Sequence, residues 1–152
     1  MKEHGDDVIF EYNNIIDGIY IGTNMCCQAH FDEELLERGI SADLSLEAEK
    51  IDSPYGVDYF LWLPTVDEIP PKPSQLKAGV AFLRELVNQN IKVYVHCQHG
   101  HGRAPTLVAA YLISKGNSVE EAISLIASKR STIHINDKQK EALILFEKEE
   151  NK

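Results

Sequence analysis

Apolar residues along this chain recur at two spacings, every second position in some stretches and every third or fourth in others, and the switching marks strands and helices. Val8 to Tyr12 and Ile19 to Gly22 read as short strands joined by a turn at Asp17-Gly18. Asp32 is placed to cap a short helix through Leu35 and Leu36 to Arg38, with Gly39 in the left-handed stop position. Ile40, Ala42, Leu44 and Leu46 alternate, which predicts a strand over Ile40 to Leu46. Val57 to Leu63 (VDYFLWL) is a second, rich in the aromatic and branched residues that strands favour.

Pro64, Pro70, Pro71 and Pro73 then interrupt the pattern, so Pro64 to Pro73 is expected as a loop, neither helix nor central strand. After a cap at Ser74, Leu76, Val80, Leu83 and Val87 share one helical face. Ile91 to Val95 is a compact apolar run of the kind buried parallel strands show. A helix is expected from about Ala104 to Ser114, with Pro105 in its first turn and Gly116 just past its end. Ser118 and Glu121 form a capping box for the next helix, and Asp137 is read as the cap of the last, which carries Leu143, Leu145 and Phe146. This order predicts one α/β domain over residues 1–152, its mostly parallel sheet of about four to five strands flanked by helices.

Composition narrows the functions open to such a domain. With 15 Lys and Arg against 24 Asp and Glu, the net charge of −9 argues against a broad nucleic-acid footprint and weakly against anionic membranes. A bound phosphate would have to be held by a local feature against that field. Cys26 and Cys27 are adjacent and Cys97 stands apart, so no disulfide framework or C-x-x-C pair is expected; the first two read as packing residues in a reducing compartment. The start, MKEHGDDVIF, lacks a signal-peptide layout, no apolar run approaches the roughly 18 residues of a span, and the ending KEENK carries no prenylation motif. A cytoplasmic protein without a membrane anchor is the expectation.

The informative stretch is VYVHCQHGHGRAPTLVAAYL. Cys97 sits where a buried strand ends and Arg103 where a helix begins, with Gly100 and Gly102 between them. Open α/β sheets place ligands at the C-terminal ends of strands. A glycine-bearing turn into a helix can aim successive N–H groups inward, and the helix N-terminus adds partial positive charge. Inward N–H groups, the dipole and a guanidinium lower a thiol's pKa and make it a nucleophile. Arg103 offers a planar fork suited to two phosphate oxygens.

The segment His96-Cys97-Gln98-His99-Gly100-His101-Gly102-Arg103 matches the His-Cys-x5-Arg signature of the protein tyrosine phosphatase superfamily, and the chain resembles its small dual-specificity phosphatases over roughly residues 15 to 148. IIDGIYIGT (15–23) is similar to that family's opening strand pair, LPTVDEIP (63–70) to its general-acid loop, and residues 129–146 to its closing helical segment. The resemblance implies Cys97 as the nucleophile that forms a phosphocysteine, Arg103 as the phosphate clamp and the backbone of Gln98 to Arg103 as the cradle. It implies His96 as a loop support and Asp67 as the general acid, with Glu68 as its rival; Asp67 stands thirty residues before the cysteine. It calls for no metal or other cofactor, and for a phosphorylated protein or small phosphomonoester as partner.

One position departs from the pattern. The family commonly has Ser or Thr directly after the arginine, where the hydroxyl helps the thiolate leave; here it is Ala104, as in the phosphatases of regenerating liver, and a slow second step is expected. His99 and His101 are candidates to add positive potential at the rim, and Lys129, Arg130, Asn136 and Gln139 to approach it. Three readings compete with a protein phosphatase: a metal site built from His96, Cys97, His99 and His101, a non-catalytic phosphate-binding module, and a phosphatase of phosphoinositides or RNA 5′-phosphates.

Overall fold

The computed structural model describes residues 8–151. The expectation of no secretory leader falls largely on residues 1–7 and lies outside the described residues, as does Lys152. The elements in order are β1 (Tyr12–Ile16), β2 (Ile19–Gly22), α1 (Glu33–Glu37), β3 (Ile40–Glu47), β4 (Tyr59–Thr65), α2 (Pro73–Asn88), β5 (Lys92–His96), α3 (Arg103–Ser114), α4 (Val119–Lys129) and α5 (Asp137–Glu150). They form an α/β fold with a five-stranded sheet of order β1-β2-β5-β3-β4, in which only β1 is antiparallel.

The hairpin shows why the first strand differs from its expected position at Val8 to Tyr12. Asp17 and Gly18 both have positive φ, 57° and 84°, the conformation of a two-residue loop that pairs Ile16 directly with Ile19. That pairing draws β1 onto Tyr12–Ile16 despite the polar Asn13 and Asn14, while Ile9 is left exposed.

β5 is the inner strand, paired in parallel with β2 on one side and β3 on the other. Val93 to His96 are buried, as a strand covered on both faces requires. Cys97 is the next residue, at the strand's C-terminal end. β4 is the sheet edge and runs two residues later than expected, through Pro64; an edge strand tolerates a residue without an N–H.

α3 is buried along its length from Arg103 to Ile113, with α2, α4 and α5 around it. Gly79 permits the α2 approach: a Cβ there would lie 2.6 Å from Leu107 Cδ1. Leu107 is fully buried, and truncation to Ala would cost about 2–5 kcal/mol. α2 starts at Pro73 instead of after a Ser74 cap, with the Gln75 side chain accepting from the Lys72 N–H. α5 is capped by Asn136, whose Oδ1 accepts from the Gln139 N–H, not by Asp137. The Asp32 cap and the Ser118–Glu121 box form as expected.

A smaller core on the other side of the sheet gathers Cys26, Cys27, Phe31, Leu35 and Tyr94. Here Cys26 and Cys27 are bonded to each other, which corrects the expectation of two unlinked packing residues. The adjacent residues lie at the end of a single 3-10 turn, where both side chains enter the same buried space. A bond between neighbours closes no chain loop, so it is not a framework that staples elements.

Candidate active site

The loop from Cys97 to Gly102 joins β5 to α3, and its carbonyls are tied down on the outside. Cys97 O faces His96 Nδ1 at 3.3 Å, and Gln98 O accepts from the Asn24 N–H at 3.1 Å. His99 O and Gly100 O accept from Arg130 Nη2 and Nε at 2.8 and 3.0 Å. His101 O accepts from the His134 N–H, and Gly102 O from the N–H and hydroxyl of Thr106. A trans peptide points its N–H opposite to its C=O. Anchoring the carbonyls outward therefore turns the N–H groups of Gln98 to Arg103 toward the concave side. Gly100 makes the bend with φ 73°; a Cβ there would lie 2.7 Å from Gly22 O and 2.8 Å from Arg130 Nη2.

The concave side opens on a cleft of about 320 Å³ lined by Cys97, His99, His101, Gly102 and Arg103, with Asp67, Glu68, His134, Asn136 and Gln139 around it. Cys97 is 3% exposed, so its sulfur is reached only through this cleft. Arg103 is as deeply buried. Its Nη1 donates to Thr65 O at 2.7 Å and to Glu49 Oε1 at 2.9 Å, while Nε has no hydrogen-bond partner and lies 3.6 Å from Asp67 Oδ1. Burial opposes the charge on Arg103, but Cys97 and the carboxylates of Glu49 and Asp67 outweigh it and hold the guanidinium protonated.

Asp67 is exposed at the cleft mouth, on the loop that leaves β4. Its neighbour Glu68, also on the lining, takes a positive φ, and its carbonyl accepts from Asn136 Nδ2 at 2.9 Å, which ties the acid loop to the start of α5. His96 faces away from the cleft. It is fully buried, with Nε2 2.7 Å from Asp52 Oδ2 and 3.1 Å from Asp43 Oδ1. Burial disfavours its charged form, yet the two carboxylates prevail and raise its pKa well above the usual histidine value.

The structure brings Cys97, the loop of Gln98 to Arg103 and Asp67 to one cleft and sets His96 beneath them. The rings of His99 and His101 stack at 5.5 Å. Burial, then Arg130, then His99 lower the His101 pKa, which disfavours the charged form that a positive rim would need. Arg130 is no rim residue: it is 1% exposed, under the loop, paired with Glu11 at 2.7 Å and Asn13 at 2.8 Å. Glu49, Glu11, Asp43, Asp52 and His134 belong to the site's surroundings and carried no signal in one sequence, since each acts through a partner distant along the chain. His96 is turned inward, away from Cys97, His99 and His101 on the cleft, so those four side chains do not face one point as the competing metal reading required. Among the described residues no helix is long and apolar enough to cross a membrane.

Comparison with known proteins agrees with this geometry. The family described as "Dual specificity phosphatase, catalytic domain" matches residues 19–149. "Phosphatidylglycerophosphatase and protein-tyrosine phosphatase 1" of Rattus norvegicus is 46% identical over 80 residues, 52% of this chain and 42% of the relative, so the match spans less than half of that protein. A crystal structure of PTPMT1 is 32% identical with a TM-score of 0.78 and covers 93% of this chain and 96% of its own. PTPMT1 in complex with PI(5)P is 31% identical with a TM-score of 0.79, covering 92% and 96%.

Proposed function

Because the chain belongs to the dual-specificity phosphatase catalytic-domain family, we propose that it hydrolyses phosphomonoesters through Cys97, with phosphotyrosine proteins as its main substrates and phosphoserine or phosphothreonine proteins as secondary ones. The observation that carries this reading is one loop that presents a buried sulfur, a guanidinium with an open Nε and six inward-turned N–H groups to a single cleft.

The phosphate oxygens lie in the cradle of Gln98 to Arg103 and against Arg103. Cys97 Sγ attacks phosphorus; the S–P bond forms as the bond to the leaving oxygen breaks, and Asp67 delivers a proton to that oxygen. Water then attacks the phosphocysteine, the Asp67 carboxylate takes its proton, the S–P bond breaks and the thiolate returns with release of inorganic phosphate. His96 positions the loop through the Cys97 carbonyl. No step uses a metal. Residues 1–152 act as one catalytic domain in this reading, supported by the match over 19–149. A nucleophilic thiol must stay reduced, which supports a cytoplasmic location.

A second reading is favoured by one observation. PTPMT1, at 31% identity, has been crystallised with PI(5)P, so a phosphoinositide headgroup is the rival substrate class. A panel of an aryl phosphate, phosphopeptides carrying each hydroxyl type and phosphoinositides, assayed with chelator present, tests both. The expected result is hydrolysis of phosphotyrosine peptide, abolished by Cys97→Ser and reduced on the order of 10²-fold or more by Asp67→Ala. Equal rates for wild type and Cys97→Ser would overturn the proposal, and turnover confined to phosphoinositides would select the second reading.

A further inference from the structure

Beneath the loop, in the core behind His96, four metal-ligand side chains converge. Cys26 Sγ, Cys27 Sγ, a carboxylate oxygen of Asp43 and a ring nitrogen of His96 all lie within 4.8 Å of one another, and all four residues are buried. Asp52 adds a second carboxylate, 2.7 Å from the same His96 nitrogen. These residues come from four different segments: the turn after β2, strand β3, the loop after it, and the end of β5.

Two features fit a cation bound there. Asp43 is fully buried and Asp52 nearly so, and their carboxylates share one imidazole nitrogen, His96 Nε2, at 3.1 and 2.7 Å. A buried carboxylate is costly unless it is paired, protonated or bound to a metal, and here two of them meet one imidazole nitrogen. His96 is also turned as a ligand would be. Its Nδ1 faces a backbone carbonyl, Cys97 O, which can only accept, so Nδ1 keeps its proton, and Nε2, which faces the two carboxylates, is the nitrogen that a cation would take in place of a proton. Histidines that hold metals are oriented by this kind of contact.

We propose that, with Cys26 and Cys27 reduced, this cluster binds one zinc-class divalent cation through both sulfurs, His96 Nε2 and Asp43. Two thiolates, an imidazole and a carboxylate make a tetrahedral donor set that suits zinc. In the structure the two sulfurs are joined, so this is the form that does not bind. Two thiol molecules, oxidised to their disulfide, or a phosphine and one water, converted to the phosphine oxide, supply two electrons and two protons; the Cys26–Cys27 bond opens to two thiols, and both protons leave to solvent as the cation is bound. The site lies outside the Cys97 cleft but shares His96 with the support of its loop: it ties the turn after β2 and strand β3 to the end of β5.

Cobalt(II) tests this in the full chain carrying Cys97→Ser, which removes the other thiol. Reduced with a phosphine and freed of it without air, the protein is expected to take up one cobalt per chain. The complex should show the near-ultraviolet thiolate-to-cobalt charge-transfer band and the visible bands of tetrahedral cobalt. Zinc should displace it, and the oxidised chain should bind none. Replacing Cys26 and Cys27 together by Ala should abolish the charge-transfer band, with folding verified by circular dichroism. Asp43→Asn, which conserves shape, should weaken cobalt binding at least tenfold. Uptake well under one equivalent by the reduced chain would overturn the proposal whatever the variants do. So would a charge-transfer band that persists without Cys26 and Cys27, or unchanged affinity in Asp43→Asn.

Discussion

Glu49 Oε1 accepts from Arg103 Nη1 at 2.9 Å, while Arg103 Nε, on the guanidinium's other edge, has no hydrogen-bond partner. The phosphate clamp is therefore half-occupied by a carboxylate of its own chain. Thr65 O at 2.7 Å holds the same Nη1, so the fork is fixed in place from the β4 side. An oxyanion in the cleft meets a guanidinium already aimed at it, with a competing negative charge beside it.

Glu49→Gln removes that charge but leaves an oxygen able to accept from Nη1. Inorganic phosphate is expected to inhibit the variant about threefold more tightly, roughly 0.7 kcal/mol. Glu49 is close to half exposed, so the pair contributes at most about 1 kcal/mol to stability. Burial would raise the Glu49 carboxyl, but the bond to Arg103 and its charge outweigh burial and leave it below the usual 4.5. A depressed carboxyl stabilises the fold above its ordinary value and ceases to as pH falls through the lowered one. The melting-temperature gap between wild type and Glu49→Gln should thus be full above about pH 4.5 and close below it. Weaker inhibition by phosphate would show instead that Glu49 is needed to aim the clamp.

Ala104 is fully buried directly behind Arg103, and the nearest hydroxyl on the helix is committed elsewhere, since Thr106 Oγ1 donates to Gly102 O at 2.7 Å. No side-chain hydroxyl of this turn is free to hydrogen-bond the departing thiolate, which leaves only backbone N–H groups to do so. Rapid-mixing assays with an aryl phosphate should show a burst of alcohol followed by a slow steady state. Ala104→Ser should shrink the burst and raise kcat about tenfold, the effect of one charge-assisted hydrogen bond of ~1.4 kcal/mol. The absence of a burst, with no gain from the serine, would remove the idea.

Arg130 holds two successive loop carbonyls, His99 O and Gly100 O, from a position 1% exposed. Arg130→Met would leave both carbonyls and the Glu11 carboxylate short of partners and cost about 2–4 kcal/mol of stability. Because the loop shapes the cradle, kcat/KM for any phosphomonoester should fall along with the melting temperature. Arg130→Lys should recover little, since one ammonium cannot reproduce the fork. Chemical denaturation and steady-state kinetics on the same samples check both effects.

The catalytic loop was legible because its signals are local. A buried apolar run, a cysteine, two glycines and an arginine lie within one short stretch, and the pattern of β5 and α3 brackets them. The Asp32 cap and the Ser118–Glu121 box were readable for the same reason, each spanning at most three residues. Asp67 was legible only through the resemblance, because nothing in its own neighbourhood marks it as facing Cys97.

The residues that hold the loop in shape were not legible. Arg103 meets Glu49 across 54 positions, and Arg130 meets Gly100 across 30. His96 meets Asp43 because parallel pairing sets Asp43 beside Tyr94 and Ser45 beside His96. The sequence by itself therefore determined most of the elements and marked Cys97 and the turn to Arg103 as the candidate nucleophile and phosphate cradle, since periodicity and capping act within a few residues. The tertiary structure alone decided which carboxylate occupies the clamp, which arginine supports the cradle, and that His96, Asp43 and the Cys26–Cys27 pair share one buried space. Those pairings follow from strand register and helix packing, and both are fixed by burying the whole core at once.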